Sequence, residues 1–352
     1  MQTVKSYEAL LQQVSDIRAL RLGFMTNFFP DAVKHSLWVA KGDCLTERIN
    51  NTLFVIKVGP AFWNVFYCST ALDAFGNDLD AFLTKHSAVT MLFDLVGRDV
   101  QCRPLVDLFL AKGCKESVSL VRMTKMTEPT DYLPDDSVRP ATENDLPSIR
   151  EYLHRYFDER TEQIPYDEEL LDYCRQNHVL VCEEEGRMAG FLIFELNAST
   201  LYLRYWFTHP DFRNRRVGAR LMRRGFEEGK NTRRQMLWVI RTNDNAIVRY
   251  RHYGFAEENM FDYVIQHEPQ INHTDMKEQI IKILTGLRPE FDFTQEGVDF
   301  IEEGMLDSFD LIALVSELDS TFGISIEGVD ILPENFCSVD AIARLLAKNG
   351  AI

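Results

Sequence analysis

The chain has 352 residues, of which 45% are apolar and 26% are charged. This composition is typical of a folded protein with real cores, and the length predicts two or three domains of roughly 100 to 200 residues. No apolar run approaches the roughly 18 residues that a membrane span requires, and the first residues lack the basic-then-apolar order of a signal peptide. We therefore expect a cytoplasmic protein without a membrane span.

The seven cysteines form no C-x-x-C pair. This spacing argues against a zinc knuckle and against a dithiol redox motif, and we expect no metal site. In a reducing compartment such residues behave as small apolar side chains. We predict buried, reduced thiols.

The net charge of −16 is unevenly distributed along the chain. From His273 onward five basic residues face sixteen acidic ones, a net charge of −11, whereas Arg213 to Arg234 carries nine basic residues and two acidic ones. We call this second stretch, of net charge +7, the basic stripe. Such asymmetry usually reports binding rather than fold.

Two stretches, 126–137 and 268–275, combine proline and acidic residues without apolar periodicity, which is typical of linkers. They divide the chain into three predicted domains at 1–130, 131–267 and 274–352. The first of these begins its recognisable pattern with a β-hairpin. The predicted elements are that hairpin at 52–70, a helix at 79–86, a strand at 90–96, a helix at 103–113 and a strand at 117–125.

The middle segment opens with a short strand and a helix whose Leu146, Ile149, Leu153 and Phe157 fall at helical spacing. Three β-rich runs follow, and then helices and strands alternate. The predicted order is β-α-α-β-β-β-α-β-α-β, with later helices at 217–230 and 245–253 and later strands at 235–240 and 260–267.

Three motif blocks stand at the junctions of these elements. They are HPDFRNRRVGARLM at 209–222, Asn243 followed by Ala246, and Tyr250-Arg-His-Tyr-Gly-Phe255. In this order and spacing they are similar to the R/Q-x-x-G-x-G/A, N-x-x-A and Y-x-x-x-G-F motifs of the GNAT acyltransferases. The segment 131–267 resembles that family over its whole length, which implies a mixed-sheet α/β fold and an acyl-CoA or acetyl-CoA donor.

A loop between a strand and a helix turns unpaired backbone N–H groups toward one point, where the helix dipole also favours negative charge. The loop from Arg213 to Ala219 is similar to the family's pyrophosphate cradle. Arg216 replaces the first family glycine, and its amide would still point inward if Arg216 takes ordinary helical dihedrals. The alternative is a solvated helix face. The residues that the resemblance assigns to the cofactor are Phe207, Thr208, Arg213, Arg215, Arg216, Val217, Gly218, Ala219 and Asn243.

The resemblance assigns Tyr250 as the general acid, because a phenol can protonate the thiolate that leaves when an amine attacks a thioester. The family's usual strand glutamate is missing, and Arg204 stands near its expected position. The base is predicted as Glu195 on the preceding strand, with His209, Tyr205 or a water chain as alternatives. Backbone N–H groups near Trp206 to Thr208 are predicted to stabilise the oxyanion.

The first segment resembles a catalytically dead copy of the same domain. Aligning Gly113 with Gly254 places Phe109, which has no hydroxyl, where Tyr250 stands. Residues 70–82, where a phosphate loop would fall, carry three aspartates and no basic residue, so they should repel a pyrophosphate. Such a domain could form one wall of the acceptor pocket; the alternative is an unrelated α/β domain.

The last segment is predicted as a small all-α unit of three amphipathic helices, the first begun by Thr274 and Asp275, the second stopped by Gly323 and the third capped by Ser338. It resembles acyl and peptidyl carrier proteins, because GMLDSF matches their G-x-x-D-S-L motif with Phe309 in place of leucine. The resemblance implies that Ser308 carries a covalent 4'-phosphopantetheine. A capping role for Ser308 or Asp307 is compatible with that modification.

The combination predicts an N-acyltransferase that moves an acyl or aminoacyl group from a phosphopantetheine thioester on its own carrier domain to a small amine. In the first alternative, an acyl-CoA is the donor and the substrate is tethered to the carrier. In the second, the chain is a non-catalytic carrier scaffold. Expected partners are a phosphopantetheinyl transferase and an enzyme that loads the carrier with an acyl or aminoacyl group, and neither nucleic acid nor a membrane is expected.

Overall fold

The computed structural model describes residues 1–129, 133–269, 273–295 and 297–349. These residues form two compact units: unit 1 comprises 1–85 and 90–267, and unit 2 comprises 86–89 and 268–352. The predicted boundary at 130–131 and the centres of both predicted linkers lie outside the described residues. The division into three domains stays a prediction.

The N-terminal half of unit 1, up to residue 129, is an α/β arrangement in which two helices precede the predicted hairpin. Its helices are α1 (Tyr7–Ala19), α2 (Ala32–Lys41), α3 (Leu72–Lys85) and α4 (Asp99–Ala111). Its strands are β1 (Gln2–Thr3), β2 (Met25–Thr26), β3 (Cys44–Ile49), β4 (Thr52–Val58), β5 (Trp63–Ser69), β6 (Met91–Gly97) and β7 (Lys115–Met126).

The second half of unit 1, residues 133–267, follows the predicted element order. Its helices are α5 (Leu146–Tyr156), α6 (Asp167–Arg175), α7 (Val217–Glu228) and α8 (Asp244–His252). Its strands are β8 (Val138–Pro140), β9 (Val179–Glu184), β10 (Arg187–Asn197), β11 (Thr200–Thr208), β12 (Arg234–Ile240) and β13 (Ala256–His267).

The two halves of unit 1 share one continuous sheet of 13 strands, in the order β1-β3-β4-β5-β6-β13-β7-β12-β11-β10-β9-β8, with β2 paired to β5. Each half contributes its last strand to the other half: β7 lies between β12 and β13, and β13 lies between β6 and β7. A sequence pattern predicts a strand but not its neighbours, so the exchange was not foreseen.

Two apolar layers cover the faces of the sheet in the second half. On one face α7 packs over Leu192, Leu203 and Leu237, and on the other α5 and α6 pack over Phe191 and Ile193. Alternate residues of β10 face opposite sides, which is why neighbouring residues enter different cores. The sheet is therefore held rigid from both sides where it carries the loop after β11.

Unit 2 contains α9 (His273–Leu287), α10 (Ser308–Phe322) and α11 (Val339–Lys348). Their buried faces meet in one apolar core that includes Ile280, Leu314 and Leu346. The predicted ends of the second and third helices are confirmed: Gly323 takes the left-handed conformation at φ 65°, and the Ser338 hydroxyl accepts a hydrogen bond from the Ala341 amide at 3.1 Å. The side chains of Thr274 and Asp275 lie outside the described part.

Six of the seven cysteines are buried free thiols and Cys337 is half-buried, which agrees with the predicted role of these residues in the cores. Among the described residues, no helix is long and apolar enough to cross a membrane. Over the same ranges, no group of three His, Cys, Asp or Glu side chains is arranged to hold a metal ion.

Candidate active site

The loop between β11 and α7 presents a row of backbone amides without partners. Among the residues that the structure describes, the N–H groups of 216–219 make no hydrogen bond, whereas the Arg220 amide closes the first helical turn onto the Arg216 carbonyl at 3.0 Å. A helix begins here with its positive end toward the loop, so the four free donors can bind an anion. The geometry is that of a phosphate cradle.

Arg216 does not take the ordinary helical dihedrals on which its prediction was conditioned. It is the N-cap of α7 and lies in the left-handed region, with φ 61° and ψ 16°. Asn214 is left-handed as well, at φ 68°. A side chain in this region strains the backbone, which is the physical reason why a glycine is favoured at this place. Arg216 keeps the loop shape at the cost of local strain.

Gly218 permits the close approach of α7 to β11. A Cβ built on Gly218 would lie 2.9 Å from Cζ2 of Trp206 and 3.2 Å from the Thr208 hydroxyl. The Trp206 indole N–H donates to the Gly218 carbonyl at 3.2 Å, which holds the ring beneath the start of the helix. Of the other residues assigned to the cofactor, Val217 is buried, Ala219 is half-buried, and Arg213 and Arg215 are exposed.

Strands β11 and β12 run parallel but separate before they end. Their pairing extends from Thr200 opposite Arg234 to Leu203 opposite Leu237, although β11 continues to Thr208. Beyond that point the edge of β11 that faces β12 is open. A bulge lies at the same place, because Ile193 pairs with Tyr205 and the next residue of β10 pairs with Leu203, leaving Arg204 as the extra residue. The opening exposes backbone donors around Trp206 and Phe207.

Tyr250 lies on α8 beside this opening. It is half-buried, its ring centroid is 5.5 Å from that of Trp206, and it packs against Phe255 at 6.1 Å. In the described part of the chain no hydrogen bond to its hydroxyl is found. Burial raises the pKa of Tyr250, the Glu162 charge raises it further, and Arg249 opposes the rise. The phenol therefore stays protonated at neutral pH, as a proton donor must.

Asn243 caps α8 through its side chain, which accepts a hydrogen bond from the Ala246 amide at 3.1 Å. The N-x-x-A spacing is thus that of a helix N-cap and the third residue after it. The cap starts the helix that carries Tyr250. A direct contact of Asn243 with a cofactor stays a prediction.

Glu195, the predicted base, is already engaged. Its Oε1 accepts hydrogen bonds from the Tyr173 hydroxyl at 2.7 Å and from Arg204 at 2.9 Å, and its Oε2 accepts one from Asn197 at 2.9 Å. Burial works to raise the pKa of Glu195, but the Arg204 charge and these hydrogen bonds lower it on balance. A carboxylate stabilised in this way is a weak proton acceptor.

The two side chains that stood as alternatives to Glu195 are also engaged. The buried Tyr205 hydroxyl donates to the Gln163 carbonyl at 2.7 Å, and His209 accepts a hydrogen bond from the Asp211 amide at 3.3 Å. Both interactions fix the loops beside β11. A role of Tyr205 or His209 as the base stays a prediction.

Glu162 was missed by the sequence reasoning. It lies in the connection between α5 and α6, is half-buried, and burial raises its pKa to about 7, with Arg204 opposing and Asp158 supporting the rise. Its charge acts on the phenol of Tyr250, so the two groups are near enough to interact electrostatically. A carboxyl that titrates near neutrality beside a protonated phenol is the usual sign of an acid–base pair. No motif marks Glu162, because only the fold buries it.

In unit 2, Ser308 is the first residue of α10 and is exposed. Asp307 provides the N-cap: its carboxylate accepts hydrogen bonds from the amides of Phe309 at 2.7 Å and Asp310 at 3.0 Å. The capping alternative thus falls to Asp307, and within the described residues the Ser308 hydroxyl makes no hydrogen bond. An accessible hydroxyl at a helix N-terminus fits attachment of a phosphodiester.

One comparison with known proteins found a curated relative. An uncharacterized N-acetyltransferase of Methanocaldococcus jannaschii is 32% identical over 89 residues, which cover 23% of this chain and 39% of that protein. The chain therefore spans well under half the length of this curated relative.

Two solved structures share weak similarity. A GCN5-related N-acetyltransferase from Sphaerobacter thermophilus has 13% identity over 61% of this chain and 76% of its own, with a TM-score of 0.46. A tandem GNAT protein from the clavulanic acid biosynthesis pathway has 11% identity over 64% and 82%, with a TM-score of 0.43.

Residues 146–255 match the acetyltransferase (GNAT) family, and the match covers α5 to the end of α8, including the loop after β11 and Tyr250. Residues 146–255 therefore form a domain that is similar to the GNAT acetyltransferases.

Proposed function

We propose that the chain is an N-acyltransferase that moves an acyl or aminoacyl group from a phosphopantetheine thioester to a small amine. The observation that carries the proposal is the phenol of Tyr250, which packs against Trp206 beside the opening between β11 and β12. The same indole donates a hydrogen bond to the Gly218 carbonyl, in the segment 216–219 that carries the free amides. These groups provide what the reaction needs: an anion cradle for the donor, an oxyanion site and an acid for the leaving thiolate.

The reaction follows from these positions. The neutral amine attacks the thioester carbonyl, so that a C–N bond forms and the carbonyl oxygen becomes an oxyanion, which the N–H groups near Trp206 to Thr208 stabilise. The C–S bond then breaks with its electron pair on sulfur, and Tyr250 donates its proton to that thiolate. The products are an amide and a free thiol.

The amine carries one proton too many after its attack, and in this proposal Glu162 removes that proton. Its pKa of about 7 leaves a useful fraction ionised at neutral pH while keeping the carboxylate basic. Tyr250 loses one proton and Glu162 gains one, so the net protonation of the site is unchanged, and transfer of that proton back to Tyr250 restores both residues. In this proposal Glu162 replaces Glu195 as the base.

Two donors are compatible with the cradle. If the carrier donates, Ser308 holds the arm, and the basic stripe steers the acidic carrier electrostatically. In that case the members to consider are those that are exposed and make no ion pair within the described residues, which are Arg213, Arg216, Arg223 and Arg233. Arg220, by contrast, binds Ser137 and Glu184. The second donor, a free acyl-CoA, fits the family match equally well, and in that alternative the amine is tethered to the carrier.

Phosphopantetheine on Ser308 is testable without any assay of transfer. We expect coexpression with a phosphopantetheinyl transferase to add the mass of one arm, and Ser308→Ala to abolish the addition with little change in stability, since Asp307 caps α10. An arm that persists in Ser308→Ala removes the carrier assignment. Intact mass of the protein from its own host, before and after thioester cleavage, identifies the cargo and the enzyme class that loads it.

Transfer from the loaded full-length chain and from an acyl-CoA distinguishes the donors. Turnover with the loaded arm alone supports the carrier donor, and turnover that requires acyl-CoA supports the alternative. A chain that holds its thioester and transfers with neither donor across a panel of amines would act as a scaffold for other enzymes, and the proposal would be overturned.

A further inference from the structure

A cavity of about 840 Å³ lies within unit 1, and both halves contribute to its wall. Helix α2, β4 and β6 come from the N-terminal half, and the connection before α6, the bulge of β11 and β13 come from the second half. The charged side chains in its wall are of both signs. The ones used below are Lys34, Lys57, Asp94, Arg204 and Asp262.

Two lysines converge on one indole in this wall. The ammonium groups of Lys34 and Lys57 lie 5.3 Å and 5.5 Å from the ring centroid of the buried Trp38. Across the described chain Lys57 makes no hydrogen bond or ion pair. Burial lowers the pKa of both lysines, to about 8 for Lys34, where the charges of Arg204 and Lys57 add to the effect. An anion bound here would stabilise their charged forms.

Two carboxyls on neighbouring strands form the opposite subsite. Asp94 Oδ2 accepts a hydrogen bond from Gln163 at 2.9 Å, whereas Asp262 has no hydrogen-bond partner in the described structure and its Oδ1 is buried. Burial raises the pKa of both, and the Asp94 charge raises that of Asp262 further. A buried carboxyl without a donor is destabilising until something with a positive charge or a donor meets it.

Gln163 joins the two subsites. Its amide nitrogen donates to Asp94, and its amide oxygen accepts a hydrogen bond from Lys34. The positive and negative groups therefore lie one amide group apart. The ammonium and carboxylate of an amino acid have a similar separation, so one such molecule can meet both charges, while a simple amine or a simple acid can meet only one.

The cavity adjoins the transfer site. Gln163 directly follows Glu162, so the connection that lines the cavity also carries the carboxyl whose charge acts on Tyr250. Arg204, the extra residue of the β11 bulge, lines the cavity and its charge acts on Glu162. An amine held at the acidic subsite is thus close to the elements that carry the acid–base pair.

We propose that this cavity is the acceptor pocket and that it binds an amino acid as a zwitterion, with the carboxylate at Lys34 and Lys57 and the amino group at Asp94 and Asp262. The inference that an amino acid binds is drawn from the residues of the cavity alone. The inference that this amino acid is the acceptor rests on the function proposed above.

The test is binding of amino acids to the full chain without any donor, measured by calorimetry. The probes are the standard amino acids and β-alanine, each compared with the amine that lacks its carboxylate and the acid that lacks its amino group. We expect at least one amino acid to bind with a Kd of about 1 mM or tighter, and both matched compounds to bind at least about tenfold more weakly. Equal binding of all three, or no binding of any amino acid, overturns the proposal.

Variants locate the two subsites. Lys57→Met and Asp262→Asn should each weaken binding of that amino acid at least about tenfold, and Lys34→Met should repeat the first result if Lys57→Met proves unstable in thermal melts. The matched control is Glu168→Gln, which changes a cavity carboxylate already paired with Lys41 and should alter the Kd less than about twofold. If both test variants fold and bind the amino acid with unchanged affinity, the ligand binds elsewhere and the proposed pocket is wrong.

Failure of this inference and failure of the proposed function give different results. Tyr250→Phe should bind the amino acid as the wild type does, because the phenol acts on the leaving thiolate. If the amino acid binds but neither donor supports transfer, the proposed function is contradicted, whereas the proposed pocket is still supported. Transfer to other amines without amino acid binding contradicts the pocket alone.

Discussion

The two halves of unit 1 repeat one order of elements, yet only one of them builds a site. In each, three antiparallel strands lead to a helix, a parallel strand, a second helix ended by a left-handed glycine (Gly113 at φ 83°, Gly254 at φ 86°) and a last strand. The parallel pairs correspond as well: β5 pairs with β6 as β11 pairs with β12. The shared order supports the interpretation of the N-terminal half as a copy.

The difference lies in the connection from strand to helix. Residues 209–216 separate β11 from α7, whereas only residues 70 and 71 separate β5 from α3. The stretch 70–82, where a phosphate loop would fall, is thus mostly helix. Its Asp78 is buried and accepts hydrogen bonds from Asn50 at 2.7 Å and Thr52 at 2.8 Å, so it holds the N-terminal half together. A phosphate-binding loop needs a connection long enough to leave backbone amides unpaired, and the absence of acidic side chains is not sufficient by itself.

The second difference is at the residue four positions before the glycine. Phe109 is fully buried between Phe75 and Phe93, with ring centroids 5.8 Å and 4.7 Å away, whereas Tyr250 is half-buried beside an opening in the sheet. The N-terminal position therefore lacks access as well as a hydroxyl. The N-terminal half contributes part of the wall of the cavity.

The largest effect is expected from Tyr250→Phe. Turnover should fall about a hundredfold or more while donor affinity changes little, because the lost proton acts only on the leaving thiolate. Steady-state rates and donor binding measure the two quantities. Adding Phe109→Tyr to Tyr250→Phe should not restore turnover. The matched control is Tyr253→Phe, which removes another half-buried phenol near the end of the same helix. An unchanged rate in Tyr250→Phe would remove the distinction between the halves.

Glu162→Gln should lower turnover by about tenfold to a hundredfold and change its pH dependence. Because the pKa of Glu162 is about 7, the wild-type rate should rise as the pH increases through neutrality. At lower pH the carboxyl is protonated and cannot accept a proton, so the rate should fall. The variant should lose this rise. Glu159→Gln, at an exposed carboxylate paired with His154, is the control. A rise that survives in Glu162→Gln belongs to another group.

Gly218→Ala tests the close approach in the second half against Gly76→Ala in the first. The added methyl meets the Trp206 ring at 2.9 Å in one case and the end of the flexible Leu108 side chain at 3.1 Å in the other. We expect Gly218→Ala to destabilise by about 1–3 kcal/mol and to weaken acyl-CoA binding, because the indole supports the loop. Gly76→Ala should stay within about 1 kcal/mol of the wild type, since alanine favours the helix. Chemical denaturation compares them, and equal losses would contradict the account.

Arg216→Gly should have the smallest effect. Glycine takes the left-handed backbone at φ 61° without strain, which should raise the free energy of unfolding by about 1 kcal/mol. The greater freedom of glycine in the unfolded chain partly offsets this gain. Arg216→Ala keeps the strain and should gain nothing. If the guanidinium contacts phosphate, both variants bind acyl-CoA more weakly to the same extent. A stability gain in Arg216→Ala as large as that in Arg216→Gly would mean that strain is not the cause.

Much of the second half could be predicted from its sequence. Periodicity placed nearly every helix and strand there, and the loop after β11, the N-cap at Asn243 and the turn at Gly254 lie where their motifs put them, because each depends on a few adjacent residues. In unit 2 the end of α10 at Gly323 and the start of α11 at Ser338 were equally local. The first fifty residues, where α1 and α2 precede the hairpin, were not assigned.

The sequence by itself determined the order of elements in the second half of unit 1, the loop after β11, the phenol at Tyr250 and the exposed serine at the start of α10, because each depends on residues that are close together in the chain. Only the tertiary structure decided that β7 and β13 exchange places and that Lys57 and Asp262 line one cavity. It also decided that Glu195 is held by Arg204 while Glu162 titrates near neutrality. The physical reason is that pairing partners, burial and electrostatic neighbours depend on residues distant in sequence, and a carboxyl's chemistry is set by that environment rather than by its place in a motif.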